Sequence, residues 1–345
     1  MSFGAGENGL LWRDGAEAVD LSGLGGVFAE ASLNALSAEG PAAWGEAIDA
    51  ARSHDGPRVP LTAARLPFEV ADYVDFYSSL EHATNLGRLF RPDQEPLLPN
   101  WRWLPVGYHG RAGSVVVSGT DVVRPSGQRK APDEDAPTFG PSRRLDFELE
   151  LGFVVGVGSE LGEPVPVEDF ERHVFGVVLV NDWSARDIQA WEYVPLGPFL
   201  GKSFQTSISA WVTPLALLEE ARVEAPEQEP PPLPHLAGGR DWALDLALEV
   251  ELNGETISEG NARTLYWTLP QQLAHATSNG APIRTGDLMA SGTISGAEPG
   301  TEGSMIELYR GERFLADGDE LVLRGRSGNG VELGEVRGRV LPARD

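Results

Sequence analysis

The chain contains no cysteine. That excludes disulfides, zinc–thiolate sites and any thiol nucleophile. Basic residues are also scarce: 27 Lys and Arg stand against 52 Asp and Glu, for a formal net charge of −25. Nucleic acid and anionic membranes both need a basic footprint, so neither is expected as a partner. An anionic ligand would have to be met by local cations. No apolar run reaches membrane-spanning length. The segment Met1–Asn8 has neither a basic n-region nor an apolar core, so no secretory signal is visible and a cytoplasmic location is expected. Segments of helical period are few. In their place stand 41 Gly and 26 Pro among 345 residues, which points to a β-rich α+β chain with many turns. The length accommodates one large domain with a small one beside it.

Residues 9–22 read as a hairpin turning at Asp14-Gly15, and 42–52 as a helix by composition and period. A polar stretch around Ser53–Pro60 leads to Leu66-Pro67-Phe68, where the main domain is expected to start. Residues 100–125 hold short strands, Ser114–Ser118 among them. Glu224–Leu236, with Pro226 and Pro230 to Pro232, reads as a surface excursion. The segment Leu265–Ser278 is the best helix beyond the N-terminal region. Further strands are expected around Leu321–Leu323 and Gly338–Leu341, and no internal repeat is visible.

The segment Arg144–Val155 alternates acid and apolar residues before turning wholly apolar. As one strand it puts Asp146, Glu148 and Glu150 on one face and Phe147, Leu149 and Leu151 on the other. Three carboxylates about 7 Å apart repel one another, so out of solvent they need a cation, and two same-face acids with one or two more from elsewhere form an oxygen cage for Mg²⁺ or Ca²⁺. An edge strand with its acids in water has the same alternation. The run Val174–Asp182 favours the cage, because it reads as a buried strand ending on a carboxylate, and a helical segment 183–193 follows. Asp182 is then the third or fourth ligand. The strand Asp245–Leu252 repeats the alternation beside an Asn253-Gly254 turn and reads as a solvated face.

Several longer motifs carry a resemblance: Asp75-Phe76-Tyr77-Ser78-Ser79, His82-Ala83-Thr84-Asn85, Leu104–Arg111, Asn181–Gln189, Pro195–Phe204 and Ala290–Gly296. Over about Leu66 to Leu341 the chain resembles the fumarylacetoacetate hydrolase family. The resemblance implies a small SH3-like N-terminal domain over 1–66, trimmed or remodelled, followed over 67–345 by a catalytic domain built as a mixed β-sandwich roll, the whole a homodimer. It implies a reaction: water cleaves a carbon–carbon bond of the dianionic diketone 4-fumarylacetoacetate to give fumarate and acetoacetate, the last step of tyrosine and phenylalanine degradation.

The implied metal ligands are Asp75, Glu148, Glu150 and Asp182, around Ca²⁺ or Mg²⁺. A second, structural Mg²⁺ is implied near Asp182, Lys202 and Thr206, although Gln205 stands where the family pattern has glycine. Asp146 has no implied role, and a cap or a pair with Arg143 or Arg144 is the expectation. His82 is the implied base, oriented by Glu307, with general-base help worth about 10²–10⁴-fold. His109, in a family motif, is expected to be structural, and the other four histidines incidental. Arg186, Gln189 and Lys202 are the implied oxyanion donors, Arg186 and Gln189 three apart on a helical turn. Tyr77, Arg91, Gln189, Tyr193 and Thr293 are implied to meet the substrate's carboxylates. The ordinary alternatives are an ion pair of Arg186 with Asp187 or Asp182, and a solvated loop position for Lys202. Other functions left open are an acylpyruvate hydrolase, an oxaloacetate decarboxylase or a related hydratase using the same cage, and a non-catalytic metal- and carboxylate-binding protein.

Overall fold

A computed structural model describes residues 1–131, 133–238 and 242–344. The N-terminal strands Ser2–Ala5, Leu10–Asp14, Glu17–Asp20 and Arg58–Pro60 form a four-stranded antiparallel meander. The Asp14-Gly15 turn falls as expected, with Gly15 at φ 69°. The helix Pro41–Ser53 opens on proline, whose missing N–H is no loss there, and buries Trp44, Ala47, Ile48 and Ala51 at helical spacing.

The central sheet is eight-stranded and mixed. Its main path runs Gly107–His109, Tyr73–Phe76, Leu288–Ala290, Leu149–Val155, Val174–Asp182, Thr206–Ile208, Val115–Val117. The pairs 73–76 with 288–290 and 206–208 with 115–117 are parallel, and the rest are antiparallel. A second sheet, containing Leu246–Leu252, Glu320–Ser327 and Glu332–Leu341, packs on one face of it. That interface is the main core. Phe147, Leu149, Leu151, Phe153, Val177 and Leu179 meet Leu248, Val250, Leu323 and Leu333 there.

The period of two then decides the opposite face. At one end Val154, Phe175, Val178 and Val180 of this face pack against Phe3, Trp12, Trp44 and Ile48 of the N-terminal region. At the other end the same strands present Glu150 and Asp182, with Glu148 just before the first of them. In register, Glu150 stands opposite Val180 and Ala290 opposite Asp75, so three strands, 73–76, 149–155 and 174–182, bring Asp75, Glu150 and Asp182 to one patch of sheet.

Three expectations are corrected by the structure. Arg144–Val155 is not one strand: Leu145–Asp146 pairs with Ser184–Ala185, and a separate strand starts at Leu149. At the break the Glu148 backbone N–H turns to the Asn181 side chain, 3.1 Å away, so pairing with the neighbouring strand is interrupted and Asp146 is carried out of the acid group. The segment 183–193 is helical only from Arg186 to Glu192, and the later helix only from Leu269 to Thr277, where Thr268 and Gln271 close a capping box. A helix over Leu80–Phe90 was not expected. Ser79 caps it by accepting from the His82 N–H at 3.3 Å, and His82, Ala83, Leu86 and Gly87 form its buried face. No helix among the described residues is long and apolar enough to cross a membrane.

Candidate active site

Asp75, Glu148, Glu150 and Asp182 each offer an oxygen, and all four oxygens lie within 4.8 Å of one another. None of the four is more than 4% exposed. Like charges this close in a dry site raise each other's pKa. Burial, with Asp182 next, pushes Asp75 far above the ordinary carboxylate range. Burial, then Asp75 and Glu148, does the same to Glu150. Asp182 is raised by burial and Glu148 against the pull of Lys202. Glu148 goes the other way: burial opposes its charge, but Lys202, Arg186 and His82 together hold it well below the usual range.

The residues present fit a divalent cation. Oδ1 of Asp75 and Oε1 of Glu150 are buried with no hydrogen-bond partner. The donor set is oxygen only, the preference of Mg²⁺ and Ca²⁺ over softer metals. The chain also makes room for it. Gly292 donates its N–H to Glu150 Oε2 at 3.1 Å, and a Cβ there would lie 2.2 Å from the Phe76 carbonyl oxygen, at a φ of +77°.

Two cations are built into the group. Lys202, 6% exposed, donates to Glu148 and, at 2.6 Å, to Asp182 Oδ2. It is therefore no solvated loop lysine. Arg186 donates from Nε to Asp146 Oδ2 at 2.8 Å and from Nη1 to Glu148 Oε1 at 2.7 Å and Gln189 Oε1 at 3.3 Å. It pairs with neither Asp187 nor Asp182; Asp187 instead accepts from Ser142 and the Arg143 N–H. Nor does Asp146 pair with Arg143 or Arg144. Leu145–Asp146 lies beside Ser184–Ala185, which leaves the carboxylate facing Arg186. Burial opposes the charge on both cations, but their carboxylates hold them well above their ordinary values.

His82 Nδ1 lies 2.6 Å from Glu307 Oε2, and its Nε2 lies 3.9 Å from Glu148 Oε1. Glu307 is fixed on every side: Asn85 donates to Oε1 at 3.0 Å, and Ser295 and Ser304 donate to Oε2 at 3.0 and 2.6 Å. Burial opposes its charge, but His82 and these donors leave it below the ordinary range. The Tyr77 ring meets the His82 imidazole edge to face, centroids 5.3 Å apart.

The remaining sequence candidates spread outward from this centre. Gln189 touches Arg186, and Thr206 donates to Asp182 Oδ1 at 3.0 Å. Thr293 is buried, with Oγ1 unpartnered, next to Gly292. Arg91 donates to the Pro96 carbonyl at 2.8 Å while its Nε is buried and unpartnered. Tyr193, at the end of the Arg186 helix, is 40% exposed and makes no hydrogen bond to the acid group. Gln205 turns to Thr120 and Ser207. Sequence reasoning missed Tyr108, whose hydroxyl donates to Asp182 Oδ2 at 3.3 Å, and the Ser295 and Ser304 supports of Glu307. Tyr108 and Ser295 lie inside the motifs Leu104–Arg111 and Ala290–Gly296 but had no role attached to them, and no local pattern marks Ser304.

The family model described as the fumarylacetoacetate (FAA) hydrolase C-terminal region matches residues 72–341. The chain is 49% identical to the fumarylacetoacetase of Caenorhabditis elegans and 47% identical to that of Homo sapiens, with 92% of this chain and 85% of each relative covered. Among solved structures, the fumarylacetoacetate hydrolase of psychrophilic Exiguobacterium antarcticum aligns with a TM-score of 0.62 at 17% identity, covering 99% of both chains. A maleylpyruvate hydrolase from Sphingobium sp. SYK-6, in complex with manganese(II) and pyruvate, aligns at 0.61 and 17%, covering all of both chains. At such identities the likeness is one of fold.

Proposed function

The chain belongs to the fumarylacetoacetate hydrolase family, and from that premise we infer that it hydrolyses 4-fumarylacetoacetate to fumarate and acetoacetate. The observation that carries the reading is the junction of a base with a cage: His82, backed by Glu307 at 2.6 Å, aims Nε2 at the carboxylate group from 3.9 Å. A divalent cation held by Asp75, Glu148, Glu150 and Asp182 would act as a Lewis acid toward the diketone oxygens.

His82 takes a proton from water at Nε2 while Nδ1–H stays on Glu307, which fixes the tautomer and stabilises the imidazolium. The water oxygen bonds to the carbonyl carbon of the fumaroyl group. Arg186 and Lys202, with the Gln189 amide, meet the resulting oxyanion. As the carbonyl re-forms, the carbon–carbon bond breaks and its electron pair leaves with the acetoacetate carbon, which takes the proton back from Nε2. The new carboxyl group loses its remaining proton to solvent, so the dianion and one water give fumarate, acetoacetate and one proton, and atoms and charge balance. Tyr77, Arg91, Gln189, Tyr193 and Thr293 are read as contacts for the substrate's carboxylates. The orphaned Thr293 Oγ1 and Arg91 Nε support this for two of them.

Mg²⁺ or Ca²⁺ fits the oxygen-only donors, and a second, structural Mg²⁺ near Asp182, Lys202 and Thr206 is supported by the Thr206–Asp182 contact. Residues 1–66 are read as the SH3-like unit on the strength of their four-stranded meander. A homodimer is supported by the exposed Val194, Leu196, Phe199 and Leu200, apolar surface of the kind a second copy covers.

The test is loss of fumarylacetoacetate, followed by near-ultraviolet absorbance, with and without chelator and with His82→Ala. Turnover that needs the cation and falls about 10²–10⁴-fold in the variant is expected. No turnover with added Mg²⁺ or Ca²⁺ would overturn the reading and direct attention to acylpyruvates and oxaloacetate.

A further inference from the structure

Asp146 takes no part in the mechanism above, yet it is as fully satisfied as any acid in the site. It is 0% exposed. Its Oδ1 accepts from the backbone N–H groups of Phe147 and Met305, both at 2.8 Å, and its Oδ2 accepts from Arg186 Nε at 2.8 Å and the Ile306 N–H at 3.2 Å. All four donors converge on one carboxylate, and no oxygen is left for water, metal or substrate.

What those donors belong to gives the carboxylate its meaning. Met305 and Ile306 open the short helix Met305–Leu308, and the next residue in it is Glu307, the partner of His82. Arg186 begins the helix on the opposite side of the site. One carboxylate therefore ties the backbone of the base's partner to the guanidinium that faces the substrate. On the arginine side the bond to Nε fixes the plane of the guanidinium. Nη1 is then used on Glu148 and Gln189, and Nη2 is left buried with no partner. A buried, unpartnered donor on an otherwise saturated cation is the atom available to a developing oxyanion.

We propose that Asp146 is a positioning residue that holds Arg186 and the Glu307-bearing turn in register, so that Arg186 Nη2 meets the charge formed by attack of the water that His82 activates. The proposal rests on the hydrolase reading. A residue that only stabilised the fold would need neither donor set to belong to the site.

Asp146→Asn separates the two. The amide keeps the shape but offers one acceptor oxygen and an NH₂ group, and every neighbour here is a donor. Arg186 Nε or the 305–306 backbone must lose its partner. The experiment compares parent, Asp146→Asn, Arg186→Gln and the double variant with Mg²⁺ or Ca²⁺ bound, measuring kcat, KM and the exchange rate of the Arg186 Nε–H by ¹⁵N–¹H spectroscopy. Its resonance is assigned by its absence in Arg186→Gln. A fall in kcat of about 10²–10³-fold in Asp146→Asn is expected, with KM changed far less and the Nε–H exchanging faster. In the Arg186→Gln background the same change should have little further effect on kcat, the non-additivity of two residues acting as one unit.

A kcat loss that multiplies fully with that of Arg186→Gln would overturn the proposal, as would parental kcat or unchanged Nε–H exchange. Absent turnover in the parent is a separate result: it overturns the hydrolase reading, while the exchange comparison still decides whether Asp146 holds Arg186. Should Asp146→Asn fail to fold, Asp146→Glu keeps the charge and displaces the carboxylate by one methylene. It is expected to show the same kcat loss and faster exchange, and a parental kcat there would count against the proposal.

Discussion

In the strand Leu246–Leu252, Glu249 and Glu251 share a face with Arg324 on the neighbouring strand, at 3.2 and 2.8 Å. Their side chains are 37% and 24% exposed and that of Arg324 is 38% exposed. Glu148 and Glu150 repeat the alternation with 4% and 0% exposure. One arginine and open water satisfy the first pair. The second pair is faced by Arg186, Lys202 and two further carboxylates, and still leaves buried oxygens without partners. Both strands pack their apolar residues into the same core from opposite sheets. The difference lies in what covers the acid face. Water covers one, and the other is closed in by Asp75, the Arg186 helix and the Glu307 turn. Alternation states only that acids share a face, and burial decides whether they form a solvated ladder or a cation site.

The largest expected contrast comes from removing one charge on each side. Glu148→Gln leaves Arg186 and Lys202 each short of a buried partner, so about 3–5 kcal/mol of stability should be lost in urea unfolding. Turnover should fall by at least about 10²–10³-fold, since both cations proposed as oxyanion donors lose an anchor. A loss under about 1 kcal/mol would make Glu148 no different from a surface ion pair and break the comparison.

Chelation and pH sharpen it next. Without a cation, Asp75 and Glu150 have folded pKa values raised above the unfolded ones. They therefore destabilise the chelated protein above the ordinary carboxylate range near about 4, increasingly so until their folded pKa values are reached, and not below that range. Ion binding needs both groups charged, so it weakens as pH falls. The gap in Tm between loaded and chelated protein should be widest at neutral pH and above, and close on acidification. Glu148, depressed rather than raised, adds stability above the ordinary range that is lost as pH falls. It belongs to the cage as well, so its protonation weakens ion binding in the same direction and the gap remains the readout. A gap that widened toward acid would contradict the cage.

Glu307→Gln comes after these. The amide can still meet His82 Nδ1 but cannot stabilise an imidazolium, so kcat should fall by less than the about 10²–10⁴-fold expected for His82→Ala. A loss equal to that of His82→Ala would mean that the pair acts as a single unit.

The same physics explains which parts were legible in sequence. Glu148, Glu150 and Asp182 could be found from the residues themselves, because period two and the end of a buried run are local signals. Asp75 could not. It sits on a four-residue strand whose place is set by pairing with Leu288–Ala290, more than two hundred residues away. Only resemblance supplied it, as it did His82 and Glu307. The His82 helix was legible and was overlooked: Ser79 is an N-cap residue and His82, Ala83, Leu86 and Gly87 recur at helical spacing. Asp146 was grouped with its strand neighbours because alternation presumes an unbroken strand, and the break at Phe147-Glu148 depends on Asn181 and Ser304. The two-sheet core was legible in its strands, but their order was not, since parallel neighbours joined over long connections leave no mark in the intervening sequence.

The smallest expected effect is the control for all of these. Glu251→Gln removes the 2.8 Å partner of Arg324, but Glu249 remains at 3.2 Å and Glu335 at 3.6 Å, and the guanidinium keeps contact with water. Stability should change by no more than about 0.5 kcal/mol, and turnover should stay parental. The residual effect should shrink further near 1 M salt, where screening acts over about 3 Å. Glu148→Gln should keep most of its loss at that salt, because its partners are out of reach of mobile ions. A salt dependence shared by the two variants would mean that the Glu148 group is open to solvent, and the alternating acids of both strands would then have to be read as surface charge.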